Sequence, residues 1–277
     1  MTNALQNYFG ETRGRTSATT AKVLCNKLVY CVVRAALKPP PEGWVHSPWH
    51  WFSFPFSLQK QILWSRPLRA WFRPLDNSAI EGMLHLPSYE PVEWVTPQPG
   101  QVFLDIGAYV GWYAIQAARA VGPSGQVVAI EPDHRNRSQL ENNINLNVIT
   151  NATIVPQAAW SHAGEVRWQG DSAEPVWHKI DESSGTGVVN AVTVDDLVRR
   201  FALTRVDWIK LDVEGAEVEV LKGAEQSIQR FHPALFIEVH GTLPALEAFL
   251  KQFGYSIDKT IFGGITANHG HVLATVK

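Results

Sequence analysis

VFLDIGAYVG, residues 102–111, is the stretch from which the rest of the chain is read. β-prone residues lead to Asp105, Gly107 and Gly111 bracket a short loop, and an apolar helix-like run follows from Trp112 to Ala120. This is the pattern of a first strand turning tightly into a helix in an α/β sheet. A glycine at such a turn lets backbone approach a ligand that a β-carbon would exclude. The helix N-terminus adds unpaired N–H groups.

Outward from this loop, strands and helices alternate. A turn at Gly122-Pro123-Ser124-Gly125 leads to a second strand, Gln126–Ile130, which ends in Glu131-Pro132-Asp133. A helix follows from His134 to Leu146, then a third strand, Ala152–Val155. Residues 164–194 read as an inserted hairpin, with strands at Val166–Gln169 and Val188–Val192, and a short helix covers Asp195–Phe201. A fourth strand spans Asp207–Leu211, a helix Ala216–Arg230, a fifth strand Ala234–Val239 and a helix Pro244–Phe253. The tail, Ile261–Lys277, reads as one or two antiparallel strands. Repeated β-α-β units of this length predict a doubly wound, mostly parallel α/β sheet of Rossmann-like type. Ligands then sit beyond the C-terminal ends of the strands.

Upstream the chain changes character. Residues 1–20 are polar and aperiodic, which predicts a flexible arm, and residues 21–84 form an aromatic-rich N-terminal helical extension before a domain spanning 85–277. A helix is expected over Ala21–Lys38, ended by Pro39-Pro40-Pro41. Its wheel puts Lys27, Arg34 and Lys38 opposite Leu24, Leu28, Val32 and Ala35. It either packs on the main domain or rests on an anionic membrane surface. Trp44, Trp49, Trp51, Trp64 and Trp71, nearly half of the 11 Trp, lie between Trp44 and Phe72 among Phe52, Phe54, Phe56 and Phe72. Rings of this size cap a core or line an acceptor pocket, while His46 and His50 read as surface or satisfied histidines.

The 277 residues are 45% hydrophobic and 18% charged, enough to bury a core, and a net charge of −2 gives no reason to expect a nucleic-acid partner. Cys25 and Cys31 share one predicted helix and cannot staple the fold, which suits a reducing compartment. The opening MTNALQNYFGETRGRTS shows no cleavage pattern. Val23–Leu37, interrupted by Lys27 and Arg34, is short of the roughly 20 apolar residues that span a bilayer. A cytoplasmic protein is expected, peripheral to a membrane if the basic helix touches one. Oligomeric state is not legible.

Glu131, at the end of the second strand beside the glycine loop, is placed to accept both hydroxyls of a ribose. Dinucleotide enzymes and S-adenosylmethionine enzymes share this need, and the loop separates them. A dinucleotide site wants G-x-G-x-x-G, whereas here the spacing is Asp105-x-Gly107-x-x-x-Gly111 with Tyr109 where the second glycine belongs. An amino-acid tail suits this loop better than a diphosphate, and Asp105 would help hold its ammonium through water or backbone. The segment IKLDVEGAEVEVLKGA, residues 209–224, places Asp212 and Glu214 at the end of the fourth strand, with Glu217 and Glu219 as first-turn acids favoured by the helix dipole. The fifth strand ends FIEVHG, where Glu238 and His240 share a face by two-residue alternation. Asp212, Glu238 and His240 are therefore expected to converge.

Together, VFLDIGAYVGWYAI, VVAIEPD, IKLDVEGAEVEVLKGA and FIEVHG resemble the FkbM family of S-adenosylmethionine-dependent methyltransferases over residues 85–258. The resemblance implies a class I methyltransferase fold and methylation of hydroxyls on sugars, natural products or lipid-linked acceptors. It implies that Asp105, Gly107, Tyr109 and Gly111 line the methionine pocket, with Glu131 at the ribose and Pro132 and Asp133 flanking it. It also puts Gln157, Ala158 and Ala159 at the adenine, and Asp212 and Glu214 toward the methyl and the acceptor. The residues leave the proton's route open. His240 serves as general base, oriented by Asp212 or Glu238; or Asp212, Glu238 and His240 hold a divalent cation, Mn²⁺ or Fe²⁺ rather than Mg²⁺; or His240 only hydrogen-bonds the loop after the fourth strand. Two other readings compete: a non-catalytic cofactor-binding or interaction protein, and an NAD(P)-dependent oxidoreductase, against which the loop spacing and the lack of a Tyr-x-x-x-Lys pair both argue.

Overall fold

The apolar segments flanking the glycine loop build the molecule's centre. β4 (Val102–Ile106) is buried at every position, as expected of a strand covered on both faces. It pairs in parallel with β5 (Gln126–Ile130) on one side and β11 (Trp208–Leu211) on the other. β6 (Ala152–Val155) extends the sheet beyond β5, and β12 (Ala234–His240) extends it beyond β11. An antiparallel hairpin, β13 (Tyr255–Phe262) and β14 (His269–Val276), completes the order β13-β14-β12-β11-β4-β5-β6. This is the mostly parallel, doubly wound sheet that the sequence predicts, seen in a computed structural model that describes residues 12–36, 58, 61–75, 90–169, 179–180, 185, 187–262 and 269–277.

Helices cover both faces. α2 (Trp112–Val121) and α3 (His134–Leu146) follow β4 and β5, α4 (Val194–Arg200) precedes β11, and α7 (Leu243–Gln252) follows β12. Asp133 caps α3 by accepting from the amides of Arg135 and Asn136, and Thr193 caps α4 through Asp196 N. Phe103 and Phe236, both fully buried, anchor the face under α2. Each is worth about 1.5–3 kcal/mol against exposure.

Where one helix was expected over Ala216–Arg230 there are two, α5 (Glu217–Lys222) and α6 (Glu225–Phe231). The break falls at Gly223, where an added Cβ would lie 2.1 Å from the carbonyl oxygen of Trp160. Asp195 of α4 then caps the second helix, accepting from Gln226 N, Ser227 N and Ser227 Oγ. The expected insert is also larger than a hairpin. β8 (Gly164–Gln169) and β10 (Gly187–Val192) pair antiparallel, and β7 (Ala158–Ala159) and β9 (Lys179–Ile180) join them in a four-stranded sheet.

The described part of the N-terminal extension is a packed element. Positions 12–20, within the stretch expected to be a flexible arm, hold β1 (Thr12–Gly14) and the start of α1 (Ser17–Ala36), because β1 pairs with β2 (Leu63–Ser65), itself paired with β3 (Ala70–Phe72). Asn147 of the α3 terminus clamps β3 by accepting from Trp71 N and donating to Trp71 O. Asn143 does the same for Arg73 and also donates to Val110 O in the glycine loop. The wheel expected for α1 does not hold at its centre. Lys27 is fully buried and Leu28 is 57% exposed, since Val23 and Asn26 take the inward side with it. The side chains of Val32, Arg34, Ala35 and Lys38 lie outside the described residues, as do Trp44, Trp49, Trp51, His46 and His50. Trp64 and Trp71 meet edge-on, 5.2 Å apart, and Phe72 is core. Among the described residues no helix is long and apolar enough to cross a membrane.

Candidate active site

Strand register determines which side chains meet. Asp105, Lys210, Phe236 and Leu273 are paired in one row across β4, β11, β12 and β14. Two residues further on, Glu238 pairs with His271, and beyond that His240 pairs with His269. Residues two apart share a face, so on β12 and β14 a polar tier of Glu238 and His271 stands directly above the apolar Phe236 and Leu273.

The glycine loop lies at one end of that edge. Gly107 N and Ala108 N both donate to Ile130 O, and Tyr109 N donates to Glu131 Oε2 at 2.8 Å, which brings the loop and Glu131 together as expected. Glu131 Oε1 accepts from Asp133 N and Asn136 Nδ2. Burial pushes the Glu131 carboxyl up to about 7 against these hydrogen bonds. Gly107 needs to be glycine for the protein's own packing. Its φ is +76°, and a Cβ would lie 1.8 Å from the carbonyl oxygen of Asp212, so the packing of β11's exit loop by itself already demands a glycine. Gly111, at φ +93°, is likewise closed in by Leu140.

Two residues expected at the cofactor have other partners. Asp105 is fully buried and faces Lys210, 3.6 Å away. Burial raises its carboxyl to about 6, with Lys210 opposing. Asp133 spends its carboxylate on the α3 cap. After β6, Gln157 Oε1 accepts from Arg200, while Ala158 and Ala159 are buried in β7. Glu131 N bonds Val155 O, which keeps this corner beside Glu131.

The acidic cluster assembles as expected at Asp212, Glu238 and His240, whose ligating atoms lie within 4.8 Å of one another. Lys210 ties the cluster to the loop. Its Nζ donates to Gly107 O at 2.9 Å and sits 3.4 Å from Asp212 Oδ2. Burial opposes the Lys210 charge, but Asp212 and Asp105 outweigh it and hold the ammonium above its ordinary range. Asp212 is shifted the other way: burial would raise it, and Lys210, His240 and His271 hold it below the usual carboxylate range. Burial raises both Glu214 and Glu238, reinforced by the neighbouring carboxylates.

Glu217 was read as a dipole-favoured acid at a helix start, and it is a buried partner of His240. It is fully buried, its Oε1 lies 2.9 Å from His240 Nδ1, and it also accepts from Gly215 N and Thr242 Oγ1. It takes the orienting place expected for Asp212 or Glu238. His240 Nε2 then faces the cluster, 3.5 Å from Glu214 Oε2 and 3.8 Å from Glu238 Oε1. Burial opposes the imidazolium, but the Glu217 hydrogen bond, Glu214 and Asp212 overcome it and raise His240 to about 9. Glu219, partnered by Lys222, stays on the surface. Glu90 and His271 also escaped sequence reading as site residues. Glu90 Oε2 accepts from Tyr113 OH at 2.8 Å and lies 3.1 Å from His271 Nε2.

Comparisons with known proteins bear on the family and the fold. The family model of the methyltransferase FkbM domain matches residues 105–257. Methyltransferase sdnD of Sordaria araneosa is 26% identical over 198 residues, 58% of this chain and 76% of that protein. Hexuronic acid methyltransferase AglP of Haloferax volcanii is 25% identical over 142 residues, half of this chain and 56% of that protein. A crystal structure of methyltransferase FkbM from Methylobacillus flagellatus KT superposes with a TM-score of 0.51 at 18% identity, covering 73% of this chain and 48% of that one. The chain thus spans about half the length of two of these three.

Proposed function

This chain belongs to the FkbM family of S-adenosylmethionine-dependent methyltransferases, and from that premise we propose that it methylates a hydroxyl of a sugar or natural-product acceptor. The observation that carries the reading is that Glu131, held against the glycine loop after β5, shares the C-terminal sheet edge with a His240–Glu217 dyad at the end of β12, across β4 and β11. S-adenosylmethionine supplies a methyl already activated on a sulfonium, so the protein has to position the acceptor oxygen and remove its proton. Glu131 receives the ribose hydroxyls. The loop from Gly107 through Tyr109 to Gly111, with Pro132, lines the rest of the cofactor, and Gln157, Ala158 and Ala159 border the base. Asp212, held ionised by Lys210, His240 and His271, supplies negative charge toward the sulfonium, and Glu214 and Glu238 line the same side.

His240 Nε2 takes the acceptor's proton while the O–C bond forms and the S–C bond breaks, giving a methyl ether and a neutral thioether. Glu217 fixes the ring with Nδ1 protonated and stabilises the imidazolium that results. A cation on Asp212, Glu238 and His240 fits less well, because Lys210 already neutralises Asp212. The name of the Haloferax relative supports a uronic acid as one member of the acceptor panel. The test is calorimetry with S-adenosylmethionine against NAD, followed by transfer of a labelled methyl to uronic acids, neutral sugars and hydroxylated natural products. Cofactor binding with label on an oxygen supports the proposal; binding of NAD alone, or label on nitrogen or carbon, overturns it.

A further inference from the structure

A second ligand set lies beside the methyl-transfer centre and shares only Glu238 with it. Glu90, from the segment before the 3-10 turn at Val92–Trp94, Glu238 of β12 and His271 of β14 bring one oxygen or nitrogen each to within 4.8 Å of one another. His271 Nε2 is 3.1 Å from Glu90 Oε2 and 3.7 Å from Glu238 Oε2. Ligands about 2.0–2.2 Å from one metal ion are separated by such distances. His271 is 5% exposed, and its Nε2 has no aligned hydrogen-bond partner although two carboxylate oxygens face it. A nitrogen aimed between two acceptors, bonded to neither, has the geometry of a ligand rather than of a donor.

The ligands are held by packing and hydrogen bonding. Phe236 stacks on the His271 ring with an interplanar angle of 13°, and cross-strand pairing with Glu238 fixes its backbone. Tyr113 OH donates to Glu90, the outer hydrogen bond that typically orients a metal-binding carboxylate. Lys210 makes its contacts with Gly107, Asp105 and Asp212, so the Glu90–Glu238 pair lacks a cation directly against it among those contacts. Two buried carboxylates in that setting must share a proton, pair with a protonated His271 or accept a metal cation, and Nε2, aligned with neither oxygen, favours the last.

We propose that Glu90, Glu238 and His271 bind one divalent transition-metal cation, Mn²⁺ or Fe²⁺ by their two-oxygen, one-nitrogen donor set. Glu238 gives Oε2 to the cation and leaves Oε1 toward His240, 3.8 Å away, which links the metal to the methyl-transfer pocket. The site does not depend on the identity of the acceptor.

The full chain, stripped with EDTA, is titrated with MnCl₂ by calorimetry in two buffers of different ionisation enthalpy and followed by electron paramagnetic resonance. One equivalent binds, protons are released, and pulsed spectra show coupling to a histidine nitrogen. His271→Ala and Glu90→Gln each weaken binding by at least about 10-fold, while His240→Ala keeps the wild-type affinity. Glu90→Gln nearly preserves shape, so it tests the site even if His271→Ala fails to fold, and S-adenosylmethionine titration of each variant reports the fold. No stoichiometric uptake, or uptake lost in His240→Ala and kept in His271→Ala, overturns the proposal. A protein that binds Mn²⁺ at this site and transfers no methyl would refute the proposed function and leave the metal site standing.

Discussion

Glu217→Gln separates orientation of His240 from its charge. Glu217 is fully buried and 2.9 Å from His240 Nδ1, with Gly215 N and Thr242 Oγ1 as its other donors. Glutamine preserves the shape and still offers one oxygen to Nδ1–H and Gly215 N. Its amide N–H₂ then meets Thr242, whose hydroxyl is able to turn and accept. What is removed is the ionic part of a hydrogen bond to a charged group, worth about 1.5–3 kcal/mol. At 1.36 kcal/mol per unit this lowers the His240 pKa by about 1–2 units from its value of about 9. A base works when deprotonated, so the wild-type kcat/KM climbs as pH rises through about 9 and levels off above it. In Glu217→Gln the climb moves to lower pH, while the plateau falls because the imidazolium formed during transfer loses its counter-charge. Steady-state kinetics across the pH range, with cofactor affinity measured in parallel, read both effects. A variant whose inflection stays at the wild-type pH, or whose plateau is unchanged, would refute the dyad. His240→Ala bounds the effect, losing roughly 10²–10⁴ in kcat with cofactor affinity retained.

Three further outcomes follow from other parts of the structure. Glu131 sits near pH 7, raised by burial, so its carboxylate is lost as pH falls through about 7; S-adenosylmethionine affinity weakens with that fall, and in Glu131→Gln it is about 10- to 100-fold weaker and independent of pH. Gly107→Ala meets the Asp212 carbonyl at 1.8 Å with φ at +76° and destabilises by more than about 1–3 kcal/mol, read as a lowered denaturant midpoint. Asn147→Ala removes both hydrogen bonds to Trp71 and costs about 1–3 kcal/mol, and limited proteolysis then cuts the N-terminal extension before the sheet domain.

The parallel sheet was legible because its signals are local. Apolar runs of strand length end in glycines or acids, and Glu131, Asp212, Glu238 and His240 were found by their place at strand ends. Glu217 is the first-turn acid expected, but its pairing with His240 was missed, since its burial depends on Thr242 and His240, 25 and 23 residues downstream. The ion pair of Asp105 was missed for a related reason: cross-strand register, invisible in sequence, puts Lys210 beside it. Glu90 and His271 are brought together by a segment before the sheet and a strand at its far end, and an expected antiparallel tail carries no register until β14 is seen opposite β12. The helix expected over 216–230 breaks because Trp160 and Asp195, distant in sequence, pack against and cap its middle.

A crystal structure with S-adenosylhomocysteine bound, the product thioether in place of the sulfonium, measures the account's core. The two ribose hydroxyls are predicted within hydrogen-bonding distance of Glu131, with the sulfur between the Gly107 loop and His240 and the pocket beyond it open to an acceptor. A ribose seated away from Glu131, or a sulfur on the far side of the sheet edge from His240, would contradict it.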